Sequence, residues 1–156
     1  MKKKCVLETN GYRVFFHFRS VQTPEADYVE SIVQFQIDSR LQELLVRSVP
    51  TLIHFKDLQR LVTYFEQHIA ALKEDSNSES HTFVTYGLGF QAQALSGSVL
   101  SESEGFFTIQ FMVNVGQAYK GACSTYVGGE SQVTFANIRS FTASLQAVVN
   151  ELSHSK

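Results

Sequence analysis

The chain has no tryptophan, two cysteines and two prolines, and only 18% of its 156 residues are charged. Each shortage closes off a class of protein. Cys5 and Cys123 are too few for a disulfide-stapled secreted domain. A chain of this length buries an adequate core unaided, so two free thiols are expected. No apolar run approaches the length needed to cross a bilayer. The start, Met1-Lys2-Lys3-Lys4, fails as a secretion leader because the apolar stretch Cys5-Val6-Leu7 ends at Glu8 and an Asn10-Gly11 turn. A cytoplasmic protein with no membrane partner is the expectation. The formal charge is −2, from 13 basic and 15 acidic side chains, and Lys2-Lys3-Lys4 leave the rest more acidic still. That balance disfavours a phosphate-backbone binder, and no basic patch is evident along the linear sequence, so no nucleic-acid partner is expected.

What the chain does have is phenylalanine: 13 of them, within a hydrophobic content of 44%. This is an ordinary globular composition with a core built of packed Phe rings, read as one domain over residues 1–156. Strand-like alternation runs through Tyr12–Ser20 and Tyr28–Asp38, and Asn10-Gly11 marks a hairpin before the first of these. Thr23-Pro24-Glu25-Ala26-Asp27 reads as a turn. Ser39–His54 fits either a helix or a strand broken at Pro50, with strand preferred. Thr82–Tyr86, Gly89–Leu100, Phe106–Gln117 and Cys123–Phe135 are further strands, with a bulge or bend at Gly128-Gly129. Leu58, Leu61, Phe65, Ile69 and Leu72 make one helical stripe, and Ile138, Phe141, Leu145, Val149 and Leu152 another. Asp57 and Asn137 are the expected N-caps.

Two segments repeat in order. Val33–Asp38 matches Ile109–Asn114, and Phe55 onward matches Phe135 onward at constant spacing. The fold expected is therefore α+β: a two-layer antiparallel sheet with two helices on one face, built from a duplicated β-β-β-α unit. The halves span about 1–74 and 81–156, joined by the polar run Lys73–Ser80.

Chemistry has few visible carriers. No two of His17, His54, His68, His81 and His154 sit at metal-ligand helical spacing. His68 is expected at the edge of its helical stripe, flanking or exposed, and His54 at a strand end. Ser96-Gly97-Ser98 lacks the frame of a nucleophile elbow, and Gly87-Leu88-Gly89 lacks the rest of a dinucleotide fingerprint. No catalytic residue, metal or cofactor is implied, and an enzyme is disfavoured. If Phe35 and Phe111 face the helices, strand parity puts Arg13, Phe15, His17, Arg19, Gln34, Gln36, Gln91, Gln93, Gln110, Met112 and Asn114 on the opposite face. That amide-rich face is the candidate binding surface, for a protein partner or a second copy of the chain in a homodimer. The alternative is a small-ligand binder with an apolar pocket between sheet and helices.

The element order, carried by Phe55-Lys56-Asp57-Leu58, the Gly105–Val115 strand and Val133–Leu152, resembles small bacterial immunity proteins of the WapI type and their relatives. That resemblance implies a cytosolic, non-catalytic protein that neutralises a toxin by binding it.

Overall fold

Alternation along the strands decides the architecture. In Tyr12–Ser20, the residues Val14, Phe16 and Phe18 are buried while Arg13, Phe15, His17 and Arg19 are not. Each strand therefore has one face that must be covered, and the chain covers it twice over. The computed structural model describes residues 2–21, 27–38 and 40–154, the side chains of residues 2 and 152–154 excepted. The elements in order are β1 Lys2–Glu8, β2 Tyr12–Ser20, β3 Tyr28–Ile37, β4 Leu44–Arg47, β5 Thr51–His54, α1 Phe55–Glu74, β6 Phe83–Val84, β7 Phe90–Val99, β8 Gly105–Gly116, β9 Thr125–Thr134 and α2 Phe135–His154. Of the turn expected at Thr23–Asp27, all but Asp27 lies outside the described residues, as does Ser39.

The α+β class with antiparallel strands is what the chain adopts. Its strands are divided between two sheets: β1-β2-β3-β4, with β5 also on β3, and β6-β7-β8-β9. We term these sheet A and sheet B. Two sheets facing each other bury both Phe-rich faces, which one broad sheet under two helices would not. Phe16 of sheet A meets Phe90 edge-on at 5.2 Å and Phe111 at 5.8 Å. The Tyr12 hydroxyl donates to the Ile109 carbonyl at 2.8 Å. Asn10 N–H donates to the Gln132 carbonyl, and Val49 N–H to that of Asn114.

The helices close the interior by crossing between halves. α1, from the first half, lies on β7, and α2, from the second, lies on β1, and the two pack side by side. Phe141 of α2 contacts Phe16 at 5.2 Å and Phe65 of α1 at 6.3 Å.

Several local expectations are corrected. The N-cap of α1 is His54, in extended conformation, whose Nδ1 accepts from Lys56 N–H. Asp57 lies in the first turn and pairs with Arg60. For α2 the Thr134 hydroxyl accepts from Asn137 N–H, while the Asn137 amide donates to the Glu8 carbonyl. The strand before each helix ends one turn earlier than an Asx cap requires. Of Ser39–His54, Leu44–Arg47 and Thr51–His54 are strands, with a break around Pro50 and a turn at residues 40–41 before them; no helix forms there among the described residues. Gly128 and Gly129 pair in regular register with Met112 and Phe111, and the irregularities fall at Ala94/Gly97 and Asn114/Gly116. The glycines serve close approach instead: a Cβ on Gly128 would stand 1.8 Å from the Phe111 carbonyl oxygen, and Gly129 leaves room for the Phe35 ring.

Both halves run as a strand meander closed by a 20-residue helix beginning at Phe55 and at Phe135. They are not copies in detail, since β9 is continuous where β4 and β5 are broken, and a duplicated unit is not confirmed.

Phe16→Ala should destabilise the fold by about 3–5 kcal/mol in urea unfolding, the range for emptying a packed aromatic site. Cys123 is exposed and Cys5 buried, its thiol pushed up to about 11 by burial against a smaller opposing effect of Lys3. Alkylation of the native protein at neutral pH should label Cys123 rapidly and Cys5 only on unfolding, as peptide mass mapping would read.

Candidate functional site

The eleven residues expected on one face are shared between two. Arg13, Phe15, His17, Arg19, Gln34 and Gln36 lie on the outer face of sheet A. Gln91, Gln93, Gln110, Met112 and Asn114 lie on sheet B. Because the inner faces meet through Phe16, Phe90 and Phe111, these outer faces point away from each other.

On sheet B the amides are largely occupied by the chain itself. Gln93 donates to the Ser80 carbonyl and Gln110 to the Glu130 carboxylate. Asn114 is buried. Its amide donates to the Leu88 carbonyl, its oxygen accepts from Gly116 N–H, and the Tyr126 hydroxyl donates to the same Leu88 carbonyl. These bonds hold a turn in which Leu88 takes a φ of 51°, in the left-handed region. Asn114 thus fastens the β6–β7 turn and presents nothing outward.

Sheet A is different. The register places Val6, Phe15, Gln34 and Arg47 in one row across four strands. Lys4, His17 and Ile32 form the next row on one side, and Glu8, Arg13, Gln36 and Leu45 the next on the other. Phe15 stands at the centre. The Lys4 ammonium sits over its ring at 4.2 Å and the Arg13 guanidinium at 5.8 Å, both within cation–π reach. His17 flanks the same ring at 6.5 Å. Its imidazole is held below the ordinary range by partial burial and by the Lys4 and Arg47 charges. Among the described residues no carboxylate lies within 4 Å of Lys4, Arg13 or Arg47. Three carboxylates share the face or its edge: Glu30, opposite Arg19 at 3.9 Å, Glu8 beside Arg13, and Asp38, which pairs with Arg40 and also feels the Arg13 charge. At the β4–β5 edge the face carries Leu45 and Leu52, each about half exposed at 52% and 51%.

Lys4 and Arg47 were missed by sequence reasoning. Lys4 stood in a charge run at the chain start, and Arg47 in the segment that read equally as helix or strand. Strand parity counted from Val6 and from Leu45 would have found both.

His68 corrects the expectation of an exposed flank, for it is fully buried on α1. Nε2 lies 2.9 Å from the Leu95 carbonyl, so it carries the proton and donates, and Nδ1 accepts from the Ser80 hydroxyl at 2.8 Å. One turn earlier the Tyr64 hydroxyl donates to the His81 carbonyl and accepts from Ala94 N–H. Together they pin α1 to the second half. Apolar neighbours Phe65 and Ile69 hid this role in the sequence.

Among the described residues no group of three or more His, Cys, Asp or Glu is placed to hold a metal ion. Hollows of about 570 and 490 Å³ lie outside the core, between α1 and α2 and between α1 and the segment leading into β6. The space between sheets and helices is filled by Phe16, Phe65, Phe90, Phe107, Phe111 and Phe141. No family model, curated protein or solved structure matches the chain.

Burial holds the His68 imidazole below its ordinary 6.5, outweighing the opposing bond to Leu95. The unfolded chain therefore takes up a proton at higher pH than the folded one. This stabilisation is complete above about pH 6.5 and is lost as pH falls below it, with His17 adding in the same sense. Urea midpoints should fall between about pH 7.5 and pH 5. His68→Gln should lower stability at neutral pH and flatten that slope; an unchanged slope would contradict the assignment.

Proposed function

We propose that the chain is a non-catalytic protein-interaction module whose contact surface is the outer face of sheet A. The observation that carries this reading is the convergence of exposed apolar and cationic groups there. Leu45 stands half exposed in the row next to Phe15, Gln34 and Arg47, and Leu52, likewise half exposed, lies two rows away on the other side, opposite Glu30. An aromatic anchor with apolar neighbours and a polar, charged rim is the composition of protein-binding surfaces. A sheet face of this kind suits a partner's surface better than a small molecule, which needs a concave, water-poor pocket.

The resemblance to WapI-type immunity proteins supports a specific form of this role, the neutralisation of a toxin by binding in a bacterial cytoplasm. No helix is long and apolar enough to cross a membrane, which is compatible with that setting.

A photo-crosslinking amino acid at Gln34, introduced in the source cells, tests the reading. A discrete protein adduct is expected that is absent from the same probe at Glu66 on α1 and is lost when Phe15→Ala is added. Phe15 points out of the core, so the fold should survive this truncation, as a circular dichroism melt would verify. Equal adducts from Gln34 and Glu66, or adducts indifferent to Phe15, would refute the sheet A face as the contact surface.

A further inference from the structure

Lys4, Arg13 and Arg47 come from three strands of one face: Lys4 and Arg13 lie over the Phe15 ring, and Arg47 stands two strands away in the same row, its charge reaching His17. We infer that the sheet A face takes an acidic segment of a partner protein, seating carboxylates on Lys4, Arg13 and Arg47 and an apolar side chain beside Phe15. This rests on the protein-docking reading above and adds the chemistry of the partner.

The argument is one of charge only partly compensated. The chain is acidic as a whole, at −2, yet this face gathers cations and leaves them without a carboxylate within 4 Å among the described residues. Lys3, Arg60 and Lys73 elsewhere pair with Glu151, Asp57 and Glu102, whereas this face groups three cations with no such partner among the described residues. Glu8 and Asp38 offset Arg13 only through space, so an acidic ligand that reaches Lys4, Arg13 and Arg47 directly gains attraction at each. The His17 imidazole is held low chiefly by partial burial, and the Lys4 and Arg47 charges add to it, which places both within reach of His17.

Nucleic acid would also satisfy cations, but the geometry favours protein. A base stacking on the Phe15 ring would have to displace the Lys4 ammonium that lies over it at 4.2 Å, whereas an apolar side chain beside the ring leaves that contact in place. Gln34, Gln36, Ile32 and Leu45 surround the cations with amide and aliphatic groups, which match a peptide rather than a run of phosphates. Strands lie about 4.8 Å apart, so Lys4 and Arg47, on the outer two of four strands, are separated by roughly 14 Å across the sheet. A short extended segment spans that distance.

Fluorescence anisotropy with three labelled probes tests this: a short Asp/Glu-rich peptide with a central Leu, its Lys-rich counterpart, and a short oligothymidine. The acidic peptide should bind the intact protein, more weakly as salt rises, and Arg13→Glu and Arg47→Glu should each reduce affinity by about tenfold. The Lys-rich peptide should not bind. Thermal melts of both variants should match the parent, because both side chains lie outside the core. An acidic peptide that fails to bind, or binds both variants as it binds the parent, overturns the inference. So does oligothymidine binding more tightly with the same dependence on Arg13 and Arg47. Mapping the segment crosslinked at Gln34 separates the two readings: a neutral or basic segment leaves protein docking standing and sinks only the acidic partner.

Discussion

Phe16 lies where both sheets and α2 meet, its ring against Phe90, Phe111 and Phe141 at 5.2–5.8 Å. It belongs to the first half of the chain, and those three partners belong to the second. The same crossing recurs in the helices, with α1 resting on β7 and α2 on β1. Each half depends on the other for much of its cover, although α1 also packs on β5 and α2 on β8 and β9 of its own half. Hydrophobic burial, the largest favourable contribution to folding, is thus complete only when both halves are present. His68 and Tyr64 follow from this arrangement, because polar groups carried inward on α1 must find partners, and they find them on Ser80, His81, Ala94 and Leu95.

This interior leaves two outer sheet faces, and the chain treats them differently. Sheet B turns its amides onto its own loops and carboxylates, through Gln93, Gln110 and Asn114. Sheet A carries Lys4, Arg13 and Arg47 on its outer face with no carboxylate within 4 Å among the described residues, although Glu8 and Asp38 offset Arg13 through space. Exposure to water keeps such crowding cheap, since charges at a surface interact weakly through solvent. Lys4 and Arg13 recover part of that cost over the Phe15 ring.

Much of the fold was legible in residue order. Alternation in β2 and β3 gave the inner and outer sets correctly, because period two leaves no ambiguity once one face is apolar. The helical stripes beginning at Leu58 and Ile138 were equally plain. What residue order could not convey was which strands share a sheet. Phe35 and Phe111 look alike in sequence, and both are buried, but they sit on facing sheets. The expected binding face was therefore divided in two, and the cations that complete its sheet A half lay in Lys4 and Arg47, far apart in the chain. The helix caps were misplaced for a local reason. His54 and Thr134 end strands and cap helices at once, so the Asx residues after them were left for other bonds.

The two uses of β2 are bound together by its register. Phe15 and Phe16 are neighbours in sequence and opposites in space, one the centre of the cationic face and the other the centre of the core. A slip of one residue would exchange them, setting Phe16 outside and Arg13 and His17 within. The β1–β2 turn guards against it. Thr9 N–H and its hydroxyl both donate to the Tyr12 carbonyl, and the same hydroxyl accepts from Tyr12 N–H at 2.9 Å. Asn10 N–H is tied to Gln132 on β9, and Gly11 passes so close to Ser131 that an added Cβ would stand 2.9 Å from its hydroxyl. The contacts that fix which Phe enters the core therefore also fix which one Lys4 and Arg13 cover. Any change that loosens this turn acts on stability and on the outer face together.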